Sequence, residues 1–224
     1  MIVSDGYDAY KQYAKATNTL NAQCWTHSRR EFLKAENVEP QKVEEALTLI
    51  RPLWRIEKEI AKLELEGDEK LFYRVEYAKP VVDVFFEWVA KHRKEETLLP
   101  SNRFRKALNY VHSRKNGLSI FLTDPEVPID TSGLERALRV IPMGRKNWLF
   151  CWTEVGAHYV GIFQSLIVTC KMHGIDPYIY LVDVLQRVQD HPRADIHQLT
   201  PAVWKQHFAD NPRGSVVDLL ARNQ

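Results

Sequence analysis

The sequence is short of glycine, of cysteine and of long apolar runs. Glycine occupies 9 of 224 positions, which excludes a collagen-like repeat and a Gly-rich disordered chain. Cys24, Cys151 and Cys170 are odd in number and form no C-x-x-C pair. That argues against a disulfide framework and a Cys-based zinc site, and predicts reduced thiols in a cytoplasmic protein. No apolar stretch approaches the roughly 18 residues of a membrane span. Met1-Ile2-Val3-Ser4-Asp5 has neither the basic start nor the apolar core of a signal peptide. Charge of one sign is scarce too: 31 Lys and Arg face 29 Asp and Glu, a net charge of +2. Bulk charge therefore points to no polyanionic partner. P-loop, dinucleotide-binding, zincin and nucleophile-elbow motifs are all missing.

What is present fits a soluble globule: 45% apolar and 27% charged residues, enough for one large domain or two small ones. Ile2-Val3-Ser4 and Ala22 to Thr26 read as short strands. Between them, Tyr7 to Ala16 reads as a helix with Tyr7, Tyr10 and Ala14 on one stripe. Ser28-Arg29-Arg30-Glu31 fits a capping box that starts the next helix. Pro40 opens a long helix with Val43, Leu47, Ile50, Trp54 and Ile60 on its apolar side, which Pro52 should kink or divide. Glu64 to Lys70 reads as a turn. Val81, Phe85, Trp88 and Val89 mark one further helix, and Ser101 to Arg114 another that Asn116-Gly117 ends. Leu122 to Pro128 is a loop, and a helix begins near Asp130. Thr153 or Glu154 opens an apolar helix that closes at Gly174, and Asp176-Pro177 starts the next. Trp204 and Phe208 dock a last helix. The class is mainly α with a small α/β remnant. Two short strands make no stable open sheet alone. Because the first begins almost at Met1, the expectation is a truncated sheet.

Three places could carry chemistry. Asp5 sits where a strand ends, a position from which carboxylates face clefts in α/β sheets; its plain alternative is a helix cap. In Asp130 to Arg139, the positions Leu134, Leu138 and Ile141 form a stripe suited to a core. Glu135, Arg136 and Arg139 fall on the polar faces. They fit either a surface pair of about 0.2–0.5 kcal/mol or a carboxylate beside phosphate-binding arginines. Gly144 to Phe150 brings Arg145 and Lys146 for phosphate, Asn147 for a base or backbone and Trp148 for stacking; alternatively it is a solvated basic turn before a strand-like run. Residues 101–175 hold 10 Lys and Arg against 5 Asp and Glu, a local excess that favours an anion-facing surface. His27, Arg29 and Arg30 form a basic cluster after the second strand. His158, Ser165 and Thr169 share a stripe that small-residue packing explains equally well.

In this order the segments resemble the C-terminal part of an insertion-sequence-66 family transposase. The matching residues are Ser4 to Tyr7 with Tyr10, Cys24 to Arg30 with Phe32, and Leu53 to Glu57. Ile129-Asp130, Glu135 to Arg139 and Gly144 to Phe150 follow. Ser165 to Ile167 with Thr169, Gly174 to Pro177, and Tyr180-Leu181 complete the set. The resemblance implies a ribonuclease-H-like core with three acidic ligands, of which Asp5 and Glu135 are the last two. It implies DNA cleavage and strand transfer at transposon ends with two Mg²⁺ or Mn²⁺ ions. It further implies DNA contacts from His27, Arg29, Arg30, Arg136, Arg139, Arg145, Lys146, Asn147 and Trp148. The division it suggests is 1–28 core, 29–128 helical insertion, 129–190 return to the core, and 191–224 tail. Homo-oligomers on DNA, accessory transposition proteins or a separate N-terminal polypeptide are the implied partners. The family's first Asp and its N-terminal DNA-recognition parts have no counterpart here, and Thr131-Ser132 stand where the family usually shows two Asn. The expectation is a truncated or split transposase with little strand transfer alone. The alternative is a non-catalytic helical DNA-binding or assembly module.

Overall fold

A computed structural model describes residues 1–94, 99–148 and 150–215, without the side chains of Lys146 and Trp148. The chain divides into two compact units, residues 1–135 and 136–224.

The first unit opens with β1 (Ile2–Ser4), α1 (Asp8–Ala16) and β2 (Asn21–Gln23). The strands pair in parallel, with Ser4 opposite Gln23. A parallel pair needs a crossover, and α1 supplies it. Ala14 is the buried residue of α1, whereas Tyr7 and Tyr10 are exposed, so the expected tyrosine stripe does not face the core. β2 also ends three residues earlier than the pattern suggested, because Trp25 already begins α2 (Trp25–Leu33). Ser28 lies inside that helix, where its hydroxyl bonds the Cys24 carbonyl at 3.4 Å rather than capping an end.

α3 (Pro40–Lys62) starts at its proline as expected and runs on through Pro52 without division. An internal proline costs about 3 kcal/mol. Val43, Ala46, Leu47, Ile50, Leu53 and Ile60 bury on both sides of it and hold the helix in one piece. The turn before α4 (Gly67–Tyr73) is shorter than expected. A π-helical turn, Arg74–Ala78, joins α4 to α5 (Lys79–Arg93). α6 (Arg103–His112) stops before Asn116-Gly117, which instead lie within a short α7 (Lys115–Ser119). The core gathers around Trp25 and Phe32, both fully buried. Trp25 meets Phe85 edge-on at 5.6 Å, and Phe32 meets Phe104 at 6.0 Å. Each such ring contributes about 1.5–3 kcal/mol by leaving water.

Arg74 is buried with no exposed surface. Its Nε and Nη2 donate to the two Glu57 carboxylate oxygens at 2.8 Å, and Nη1 shares its two hydrogens among the carbonyls of Phe121, Asp124, Pro125 and Val127 at 2.9–3.4 Å. One side chain thus fixes the loop that leads into Asp130 and α8 (Ser132–Leu138).

In the second unit, α9 (Val140–Trp148) takes up the Gly144 to Trp148 stretch as helix rather than as a turn before a strand. α10 (Glu154–Met172) is capped by Thr153, whose hydroxyl oxygen accepts from the Gly156 amide at 2.9 Å. α11 (Pro177–Arg187) begins at Asp176, whose carboxylate accepts from the Tyr178 and Ile179 amides. Cys170, Ile175, Tyr180 and Trp204 form a small core with α12 (Pro201–His207). Asp183 is fully buried beneath it. It accepts from Arg187 Nε at 2.6 Å, Trp204 Nε1 at 2.7 Å and the Arg213 amide at 2.5 Å. Leu134 and Leu138 are 58% and 48% exposed, so the stripe expected to pack on a core does not.

Candidate functional site

The parallel strands finish side by side. Asp5 follows β1 directly, and Cys24 follows β2. The Cys24 amide donates to the Ser4 carbonyl at 3.1 Å, extending the pairing by one bond. Gly6 then turns the chain with φ +88°. Asp5 Oδ1 accepts from the Tyr7 amide at 2.9 Å, a local turn contact of the kind expected from a capping carboxylate. The Asp5 side chain is otherwise exposed. Tyr110 steadies the same corner by donating its hydroxyl to the Asp5 carbonyl at 2.7 Å.

Glu135 reaches this end of the strands through a long-range connection. The Trp25 amide donates to the Ile129 carbonyl at 2.9 Å, which lays the 129–131 segment beside the start of α2. The Thr131 amide and hydroxyl lie 3.4 Å from Cys24 Sγ. The hydroxyl also lies 3.0 Å from Glu135 Oε1. It has a single hydrogen, and the charged, nearer carboxylate is the stronger acceptor. Glu135 Oε2 accepts from Arg30 Nη2 at 3.2 Å. His27 Nε2 stands 3.7 Å from Oε1, beyond hydrogen-bond reach. Burial by itself raises the Glu135 carboxyl pKa, but the Thr131 hydroxyl and the Arg30 guanidinium outweigh it and hold the group below its ordinary value. Arg30 Nη1 lies 3.2 Å from His27 Nε2. A guanidinium can only donate, so Nε2 accepts and the ring hydrogen sits on Nδ1. That atom is buried without a partner among the described residues.

Asp130 went unrecognised in the sequence as a side chain with a role of its own. Its carboxylate accepts from the Ser132 amide at 2.9 Å, the Thr26 hydroxyl at 2.8 Å and the Trp54 indole at 3.0 Å. It accepts from the first amide of α8 and so ties the start of that helix to α2 and α3 at once. Burial pushes its pKa up, but the indole, amide and hydroxyl donors together hold it below its usual value. The signal available in sequence was the nearby helix start alone, because Thr26 and Trp54 lie 104 and 76 positions away.

Of the expected DNA-facing residues, His27 and Arg30 gather on Glu135, while Arg29 turns from them into a cleft between α2 and α3. Arg136, Arg139, Arg145 and Asn147 belong to the second unit and are exposed. Arg145 packs over the Phe150 ring at 5.5 Å. The side chains of Lys146 and Trp148 fall outside the described residues. Among the described residues no group of three His, Cys, Asp or Glu converges as a metal cage. Asp5 and Glu135 offer hard oxygen donors, the kind Mg²⁺ and Mn²⁺ take, but two carboxylates fill a minority of an octahedral shell. A two-ion site does not fit these residues alone. No described helix is long and apolar enough to cross a membrane.

Comparison with known proteins bears on the same residues. The chain is 31% identical over 226 residues to the uncharacterized protein y4hP of Sinorhizobium fredii and 33% identical over 211 residues to y4qI of the same organism. These alignments cover 93% and 90% of this chain but 40% and 38% of the relatives, so the chain spans about two fifths of their length. No solved structure matches. The family model described as Transposase IS66 family matches residues 1–159, and the IS66 C-terminal element matches residues 165–202. The strand-end carboxylate, the Glu135 helix and the basic segment after it all fall within the first match, and the chain belongs to the IS66 transposase family.

Proposed function

We propose that this chain contributes two of the acids, Asp5 and Glu135, to a ribonuclease-H-like site that cuts and joins DNA at transposon ends. In this reading residues 1–28 and 129–190 belong to that core, 29–128 are a helical insertion, and 191–224 are a tail. The observation that carries it is the double role of Cys24. Its amide donates to the carbonyl of the residue before Asp5, and its sulfur accepts from the amide of Thr131, whose hydroxyl holds Glu135. Acids 130 positions apart in the chain are thereby linked to one end of one strand pair. Asp5 and Glu135 would supply hard oxygen ligands to a divalent ion, and the chemistry such an ion would bring is activation of an attacking hydroxyl and neutralisation of a leaving phosphate oxygen. A third acid, which the described residues do not supply, would have to join them.

The protein's own groups have separate tasks. Thr131 and Arg30 fix the Glu135 rotamer and keep it ionised. Arg136, Arg139, Arg145 and Lys146 hold DNA phosphates, with Asn147 and Trp148 beside them. The test is Mn²⁺ binding by electron spin resonance together with element-end cleavage. Asp5→Asn and Glu135→Gln should each abolish the bound-ion signal. Retention of both the signal and cleavage by Glu135→Gln would remove Glu135 from the chemistry. Arg145→Ala should lower DNA affinity and reduce the salt slope by about one.

A second reading has its own support. Glu135 is already engaged by Arg30, and no three-acid cluster exists among the described residues. A non-catalytic DNA-binding or assembly module would bind DNA with the same salt dependence and show no Mn²⁺ signal.

A further inference from the structure

We propose that the cleft between α2 and α3 receives an unpaired nucleotide of the DNA, with its base against Trp54 and its phosphate toward Arg29. This deepens the DNA-processing reading above and rests on it for the identity of the polymer. The cleft measures about 560 Å³, within the range of small-ligand pockets of about 300–1,000 Å³. The apolar Leu33, Leu47 and Trp54 and the charged Arg29, Glu44 and Arg51 line it.

Three observations select the ligand. First, Trp54 is half-buried and its ring is held in place. The indole N–H donates to Asp130 at 3.0 Å, so the ring's one polar atom is already satisfied and a flat π-face remains to line the cleft. A fixed aromatic face loses little entropy when a base stacks on it, and every base has a face to offer. Second, Arg29 makes no hydrogen bond or ion pair with a described residue, whereas Arg30 is committed to Glu135 and Arg51 to Glu44 at 3.0 Å. Arg29 is the cation left for a phosphate. Third, Glu36 and Glu44 also line the cleft. Two carboxylates disfavour a lone phosphate or another small anion. A purely apolar ligand would strand the charged side chains. A base meets both conditions, because its edge carries donors for the carboxylates while its faces suit the apolar Leu33, Leu47 and Trp54.

The position suits this role. α2 presents Arg30 and His27 to Glu135 from one face and Arg29 to the cleft from the next. Thr26, at the start of the same helix, both lines the cleft and bonds Asp130. A nucleotide held here would lie one helix face away from the candidate acids, so the adjoining strand would run toward them.

The experiment uses the full chain and synthetic duplexes carrying one unpaired 2-aminopurine, compared with the same duplexes fully paired. The unpaired probe should bind more tightly and be quenched by Trp54. Trp54→Leu should remove the quenching and weaken binding of the unpaired probe by about 5- to 150-fold. Arg29→Ala, a change at an exposed site that leaves the core intact, should retain quenching, weaken binding and lower the salt slope by about one. Equal binding and quenching of paired and unpaired probes would overturn the proposal, as would wild-type behaviour of Arg29→Ala. Glu135→Gln separates the two readings. Retention of the Mn²⁺ signal by Glu135→Gln, with quenching intact, sinks the catalytic assignment alone. Loss of probe discrimination with Mn²⁺ binding retained sinks the cleft alone.

Discussion

Replacing Arg74 by Met should destabilise the first unit by about 3 kcal/mol. The wild-type guanidinium has no exposed surface and serves six acceptors: two Glu57 oxygens and four loop carbonyls. Methionine fills much of the volume but donates nothing. Breaking a buried ion pair by removing one partner costs about 3–5 kcal/mol. Glu57 keeps 22% of its side chain in water, so it can be rehydrated, and the lower end of that range applies. For a chain of this size the fall corresponds to roughly 6–12 °C in Tm. Urea unfolding followed by far-UV circular dichroism measures the difference, with an unchanged slope confirming a comparable unfolded state. Arg74→Lys keeps the charge but loses the planar fork, and should fall between the two. Amide exchange should accelerate across residues 121–127, where the carbonyls lose their donor. A loss below about 1 kcal/mol, or exchange unchanged in that loop, would refute the claim that this side chain holds the segment leading to Glu135.

Asp130→Ala should cost about 1–3 kcal/mol, because the Trp54 indole, the Thr26 hydroxyl and the Ser132 amide lose their acceptor. It should also shift the Trp54 indole N–H resonance in NMR spectra, and an unmoved resonance would mean the bond does not persist in solution. Gly6→Ala should lower stability by about 1–3 kcal/mol in thermal melts, because φ +88° disfavours an alanine and its Cβ would meet Arg114 Nε at 2.5 Å. Asp183 carries a pH prediction. Burial raises its carboxyl, but the Arg187, Trp204 and Arg213 donors outweigh it, so the folded pKa lies below the ordinary 3.8. A lowered folded pKa contributes stability that is fully present above pH about 3.8 and is lost as pH falls through the folded value. Acid titration of the melting temperature should show this loss, and Asp183→Asn should be less stable at pH 7 with a flatter acid limb.

The sequence made the starts of helices legible where local chemistry sets them. Pro40, Thr153 and Asp176-Pro177 each mark a helix start by satisfying or removing amide donors within one turn. It failed where a distant partner decided the outcome. Ser28 carries a proper capping-box spacing, yet the helix begins at Trp25, whose indole donates to the Leu118 carbonyl 93 positions away. That tertiary bond, with the buried ring, overrides the local signal and also shortens the preceding strand. Tyr7 and Tyr10 follow helical spacing but face outward, since periodicity identifies a stripe without saying what covers it. At the candidate site, Glu135 stood out through its neighbours in sequence, whereas its actual partners, Arg30 and Thr131, come from another helix and from the turn before its own. Asp130 marked only the start of a helix in the sequence, and it is a junction of three elements.

The contact between Arg30 and Glu135 sets a competition. A cation arriving at Glu135 must share or displace the guanidinium, which is then free for an anion. If Glu135 holds a metal as proposed, linkage makes the effect reciprocal: whatever draws Arg30 away would strengthen that hold by the same factor. A single exposed ion pair, of small value for stability, would thus let the loading of one charge report on the arrival of the opposite one.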